Sequence, residues 1–145
     1  MNDNYVSISI RTAGHCFAYA HHVTKGDKKR KIRFEATWAI IKHPSRGNIL
    51  FDTGYTQRFH TATNYFPNSI YAMLTKVEID RNQEAKMQIN PDEVSHVLLS
   101  HLHADHVGGL IDFPNANLII IENANKFGLA PVSYTHLTLP TTPYV

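Results

Sequence analysis

Apolar and polar residues alternate from Val6 to Arg11, with Val6, Ile8 and Ile10 on one side and Ser7, Ser9 and Arg11 on the other. A period of two predicts a half-buried strand, which Ala13-Gly14 is expected to break. Phe34 to Lys42 reads as a strand entering the core and carries Trp38 into it. Asn48 to Phe51 reads as a second strand, joined to the first by the turn Pro44-Ser-Arg-Gly47 in a hairpin. After Gly54 the spacing changes. Tyr55 to Thr75 carries aromatics at roughly helical intervals, interrupted by Pro67, and predicts short helices. Val77 to Gln88 is polar and gives no clear period. Asn90-Pro-Asp-Glu93 has the order of a helix start, with Asn as the cap, Pro at the first position and acids in the first turn. Ser95 to Ser100 and Asn117 to Glu122 read as strands. The unbroken series Leu118-Ile-Ile-Ile121 predicts one covered on both faces. Strands and helical segments in this order predict an α/β protein, without internal repeats.

Composition narrows the class only slightly. The chain has 145 residues, 43% hydrophobic and 18% charged, which suits an ordinary globular domain. A net charge of +2 gives no global argument for nucleic acid or membrane as partner. Six basic residues between Lys25 and Arg33 could meet an anion or nucleic acid, but a solvated loop between strands is the plainer reading. Cys16 is the single cysteine, so neither a disulfide framework nor a thiolate cluster is expected; it reads as a small buried side chain. No apolar run approaches the roughly 18 residues of a membrane span. The start Met-Asn-Asp-Asn-Tyr lacks the order of a secretory signal, and the expected location is the cytoplasm.

Histidine is the exception. There are ten, and three fall within the six residues His101-Leu-His103-Ala-Asp105-His106, directly after an apolar strand. Zinc favours imidazole and carboxylate donors. Two imidazoles two residues apart on an extended segment point the same way, and Asp105 with His106 can face a second metal beside the first. A metal there polarises a carbonyl or phosphoryl oxygen and lowers the pKa of bound water to about 7. A loop of polar residues with no metal is the bland alternative, and the density of donors speaks against it.

Ser100-His-Leu-His-Ala-Asp-His-Val-Gly-Gly109 resembles the signature of the metallo-β-lactamase-fold hydrolases, and Ile49-Leu-Phe-Asp52-Thr-Gly54 is similar to the strand that supports their metal site. The resemblance spans about residues 5 to 128. It implies the N-terminal half of an αββα sandwich and two divalent metal ions, most simply Zn2+. His101 and His103 would hold the first metal, and Asp105 and His106 the second. Asp105 would also handle a proton. Asp52 would orient a metal-binding histidine from behind; a plain turn aspartate before Gly54 is the lesser alternative. Gly108 and Gly109 would let the backbone pass close to the metals.

The implied activity is attack of metal-held hydroxide on an ester, lactone or thioester carbonyl of a small-molecule substrate. Ala13-Gly-His-Cys16 and the order of strands before Asp52 are similar to the N-acyl homoserine lactonase branch. A β-lactam substrate fits less well, because no export signal is visible. A phosphodiesterase or RNA-processing nuclease on the same fold, and a non-enzymatic or redox member, are the alternatives. His103 argues against the iron-based relatives, which carry a carboxylate there. Tyr55, Phe59, Tyr65, Phe66 and Tyr71 could wall a substrate pocket or simply pack helices, and His21-His22 read as surface loop residues.

The family completes its site with later ligands, whereas the only histidine after His106 here is His136. Residues 132–142 resemble the translation of a transposon-end sequencing adapter. The expected organisation is therefore a half-length domain over residues 1–131 and a non-native tail over 132–145. With two protein ligands per metal, weak metal binding and little or no turnover are expected. A half sandwich is also expected to leave an apolar sheet face uncovered.

Overall fold

The computed structural model of the chain describes residues 5–23, 26, 30–65 and 76–120. Among them, β1 (Ser7–Tyr19) leads into the short helix α1 (Ala20–Val23). β2 (Lys31–His43) and β3 (Gly47–Phe51) form the expected hairpin, followed by α2 (Arg58–Ala62) and β4 (Lys76–Glu78). Then come α3 (Ala85–Gln88), β5 (Val94–Leu99), α4 (Ala104–Val107) and β6 (Asn117–Ile120), with 3-10 turns at Arg81–Gln83, Pro91–Glu93 and Leu110–Asp112. The six strands make one sheet in the order β4-β1-β2-β3-β5-β6. β1 to β3 and β4 pair antiparallel, while β5 runs parallel to both β3 and β6. Asn90 caps the Pro91 turn as its sequence predicts, accepting from the Asp92 amide at 3.2 Å.

Three expectations about strands need correction. Ala13-Gly14 does not end β1. The register shifts between Thr12 and His15, and Gly14 takes φ +81°, so the pair forms a bulge through which the strand continues to Tyr19. Ala13 at the bulge is fully buried and accepts from the Tyr55 amide at 2.9 Å. The apolar side of β1 is not half-buried, since Ile8 is 63% exposed and Ile10 72%. β6 is the edge strand of the described sheet, and its Ile119 and Ile120 are largely exposed rather than covered on both sides.

Register explains these exposures. On one face Ile40, Leu50, Val97 and Leu118 lie opposite one another across four strands. With Trp38 and Leu99 they pack beneath Ala85, Val107, Leu110 and Phe113 from the connecting segments, and this is the main core. On the other face Ile10, Ala39, Phe51, Leu98 and Ile119 form a second row, with Ile8, Ile41 and Ile49 beside it. No described element buries this row, so the sheet is apolar on both faces and covered on one. A smaller cluster of Ala36, Tyr55, Phe59, Val77 and Ala104 closes the end of the sheet. Tyr55 and Phe59 thus serve helix packing, Tyr65 is exposed, and Phe66 and Tyr71 lie outside the described residues. No helix among the described residues is long and apolar enough to cross a membrane.

Candidate metal centre

β3 and β5 are parallel neighbours, so their carboxyl ends open on the same edge of the sheet. Crevices at such edges are where α/β sheets place ligands. Asp52 leaves β3 there and the His101–His106 segment leaves β5, so residues some fifty positions apart in sequence meet. Asp52 is 2% exposed and has φ 58°, a left-handed conformation that Asp tolerates better than most residues. Its carboxylate accepts from the Ser100 amide at 2.9 Å, from the Ser100 hydroxyl at 2.8 Å and from His106 Nδ1 at 2.7 Å. It therefore sits behind the histidines, holding them without facing the open side.

The four candidate donors converge in pairs. His101 Nε2 lies 2.9 Å from His103 Nδ1, and His106 Nε2 lies 3.2 Å from Asp105 Oδ2. Zinc–nitrogen bonds of about 2.0–2.1 Å in a tetrahedral site set neighbouring donors roughly 3.3 Å apart, so either pair could grip one ion with little movement. The rings of His101 and His106 are 4.0 Å apart between centroids, which places the two pairs side by side. Among the described residues no three such side chains converge on one point. The four donors therefore stand as two adjacent pairs.

Electrostatics matches this grouping. Burial disfavours a charged His106, but hydrogen bonds to Asp105 and Asp52 outweigh it and push its pKa up to about 9. Burial also opposes ionisation of Asp105, yet the hydrogen bond from His106 and its charge hold the carboxyl below its ordinary range. Burial and the neighbouring His106 and His103 push His101 down. Metal ligation needs the Nε2 lone pair of His106, so a metal must displace its proton. Cys16 is half-buried under a hydrogen bond with Tyr55, and burial raises its thiol.

A clasp around the turn after the motif is not evident in the sequence. Thr53 donates both its amide and its hydroxyl to the His106 carbonyl, each at 2.8 Å, and its hydroxyl accepts from the Gly109 amide at 3.0 Å. Thr56 donates to the Gly108 carbonyl at 2.9 Å, and Arg58 reaches the same oxygen at 3.2 Å. Arg58 also pairs with Asp112, which Lys86 approaches from the far side at 3.3 Å. These bonds tie the segment after β3 to the backbone of the metal loop. Gly108 and Gly109 are needed for the close approach, since a Cβ on Gly108 would stand 2.6 Å from the Gly54 carbonyl. The local hint of the clasp is the pair Thr53 and Thr56, on either side of Gly54-Tyr55.

Histidines and carboxylates thus gather where the parallel strands of this α/β sheet end. The metallo-beta-lactamase superfamily matches residues 33–121, and the chain belongs to that superfamily. An N-acyl homoserine lactonase of Bacillus thuringiensis is 26% identical over 113 residues, covering 74% of this chain and 45% of the lactonase. The chain thus spans less than half the length of that curated relative. Among solved structures, an N-acyl homoserine lactone hydrolase with N-hexanoyl-L-homoserine at its catalytic metal centre superposes with a TM-score of 0.65 at 20% identity, over 77% of this chain and 46% of the other. The dizinc quorum-quenching lactonase AidC gives 0.58 at 18% identity, over 86% of this chain and 44% of its own. These likenesses show the fold, which is that of the N-terminal half of the αββα sandwich.

Proposed function

We propose that this chain supplies the first half of the catalytic centre of a metal-dependent lactone hydrolase acting on a small acylated lactone. The observation that carries the proposal is the pairing of four donor atoms at the shared exit of β3 and β5, in a chain whose relatives are lactonases. His101 Nε2 and His103 Nδ1 would hold one divalent ion and Asp105 with His106 Nε2 the other, most simply zinc, as in the dizinc relative. When bound, such ions polarise a carbonyl oxygen and make water a usable nucleophile at neutral pH. The chain's own part is to fix the donors and to keep Asp105 as a carboxylate able to accept a proton. Nothing in the described residues favours the phosphodiesterase reading: Arg30, Lys31 and Arg33 lie in or just before β2, and Lys25, Lys28 and Lys29 lie outside the described residues.

Two donors per ion are fewer than the three that protein usually gives a catalytic zinc. Zinc titration of the purified chain is therefore expected to give weak binding with negligible opening of N-hexanoyl-homoserine lactone. Fusing residues 1–120 to the remainder of the Bacillus thuringiensis relative should give zinc-dependent lactone opening that His103→Ala abolishes. Tight stoichiometric zinc with steady turnover by the chain alone would contradict the two-donor account. Phosphodiester cleavage by the fusion without lactone opening would contradict the lactonase assignment.

A further inference from the structure

Ser100 sits between the supporting carboxylate and the candidate ligands. Its Oγ lies 2.8 Å from Asp52 Oδ2, 3.0 Å from His101 Nδ1 and 3.3 Å from His106 Nδ1. A serine hydroxyl has one proton to give, and an ionised carboxylate can only accept. The proton therefore goes to Asp52, and Oγ faces His101 as an acceptor. A hydrogen bond there requires the His101 proton to be on Nδ1. That leaves the Nε2 lone pair pointing at His103, the direction in which a metal would be held. His106 is placed differently, since its Nδ1–H reaches Asp52 directly at 2.7 Å.

We propose that Ser100 is a positioning residue that relays the Asp52 carboxylate to His101 and so sets the tautomer of that histidine. One buried carboxylate then orients a ligand of each metal, His106 by contact and His101 through the serine hydroxyl. The inference rests on reading His101 and His106 as metal ligands, but the tautomer itself exists without metal. Packing alone does not account for the hydroxyl. The Ser100 amide already bonds Asp52, so the backbone would be held equally well with alanine at this position.

Histidine 1H–15N correlation spectra of the zinc-free chain test the relay. In the parent chain His101 is expected as the Nδ1–H tautomer; His101 as Nε2–H overturns the proposal at once. In Ser100→Ala the His101 pattern should move toward Nε2–H while that of His106 stays, and Ser100→Thr should restore it. Zinc affinity should fall about tenfold or more in Ser100→Ala and recover in Ser100→Thr. An unchanged His101 tautomer in Ser100→Ala, equal movement of both histidines, or failure of the threonine variant to rescue would each overturn the relay. Failure of the parent chain to bind zinc at all would instead overturn the metal-site reading, and the tautomer spectra would still decide the role of Ser100.

Discussion

Asp52→Ala is expected to destabilise the chain by about 3–5 kcal/mol, because one buried acceptor shared by several donors is lost, and His106 keeps only Asp105 as its carboxylate partner. The Ser100 amide and hydroxyl lose their acceptor in the same step. Alanine is also poorly suited to the left-handed φ of 58°. Asp52→Asn separates these effects. It keeps size and tolerates the backbone, but it removes the charge that helps to hold His106 protonated. The sign of the pH dependence follows. The His106 pKa is raised from 6.5 to about 9 on folding, so its stabilising contribution is complete below about 6.5 and disappears as pH rises through about 9. Urea denaturation of the zinc-free chain across that window should show falling stability in the parent and a flatter profile in Asp52→Asn. Equal slopes in the two proteins would mean that Asp52 does not hold the imidazolium.

The second large effect is expected at Gly54, where the segment leaving β3 crosses the bulge of β1. Gly54 has φ +69°, and a Cβ there would overlap the Cβ of Ala13 and press on Trp38 at 3.3 Å. Ala13 is fully buried and Trp38 nearly so, so neither can withdraw. Left-handed strain and overpacking together make Gly54→Ala cost about 2–5 kcal/mol. Gly26 is the control. It also has positive φ, but nothing among the described residues lies within 4 Å of its would-be Cβ, so Gly26→Ala is expected to carry strain alone. Thermal unfolding of both variants checks the contrast, and a similar loss in each would mean that the crossing is not tightly packed.

What the sequence revealed follows from the range of the interactions involved. The β2–β3 hairpin was legible because its pattern and turn are local. The cluster of donor side chains was legible for the same reason, since four of them fall in six consecutive positions. Ala13-Gly14 misled because a bulge and a strand end use the same residues, and only pairing with β2 on both sides of it shows which is present. β4 is three residues long, Lys-Val-Glu, too short to show a period. The clasp by Thr53, Thr56 and Arg58 depends on β3 and β5 lying side by side, which no short-range pattern states. The exposed row of Ile8 and Ile10 was predicted apolar correctly, but its covering is a property of what lies opposite, not of the strand.

On the proposed assignment, His101, His103, Asp105 and His106 hold metal in two neighbouring pairs. Zinc-edge anomalous diffraction from crystals of the chain soaked in zinc measures this directly. The expected result is density within bonding distance of His101 Nε2 with His103 Nδ1, and of His106 Nε2 with Asp105, with Asp52 behind and out of contact. Zinc gathered instead at His15, His21 or His43, with the motif histidines still bonded to one another, would contradict it.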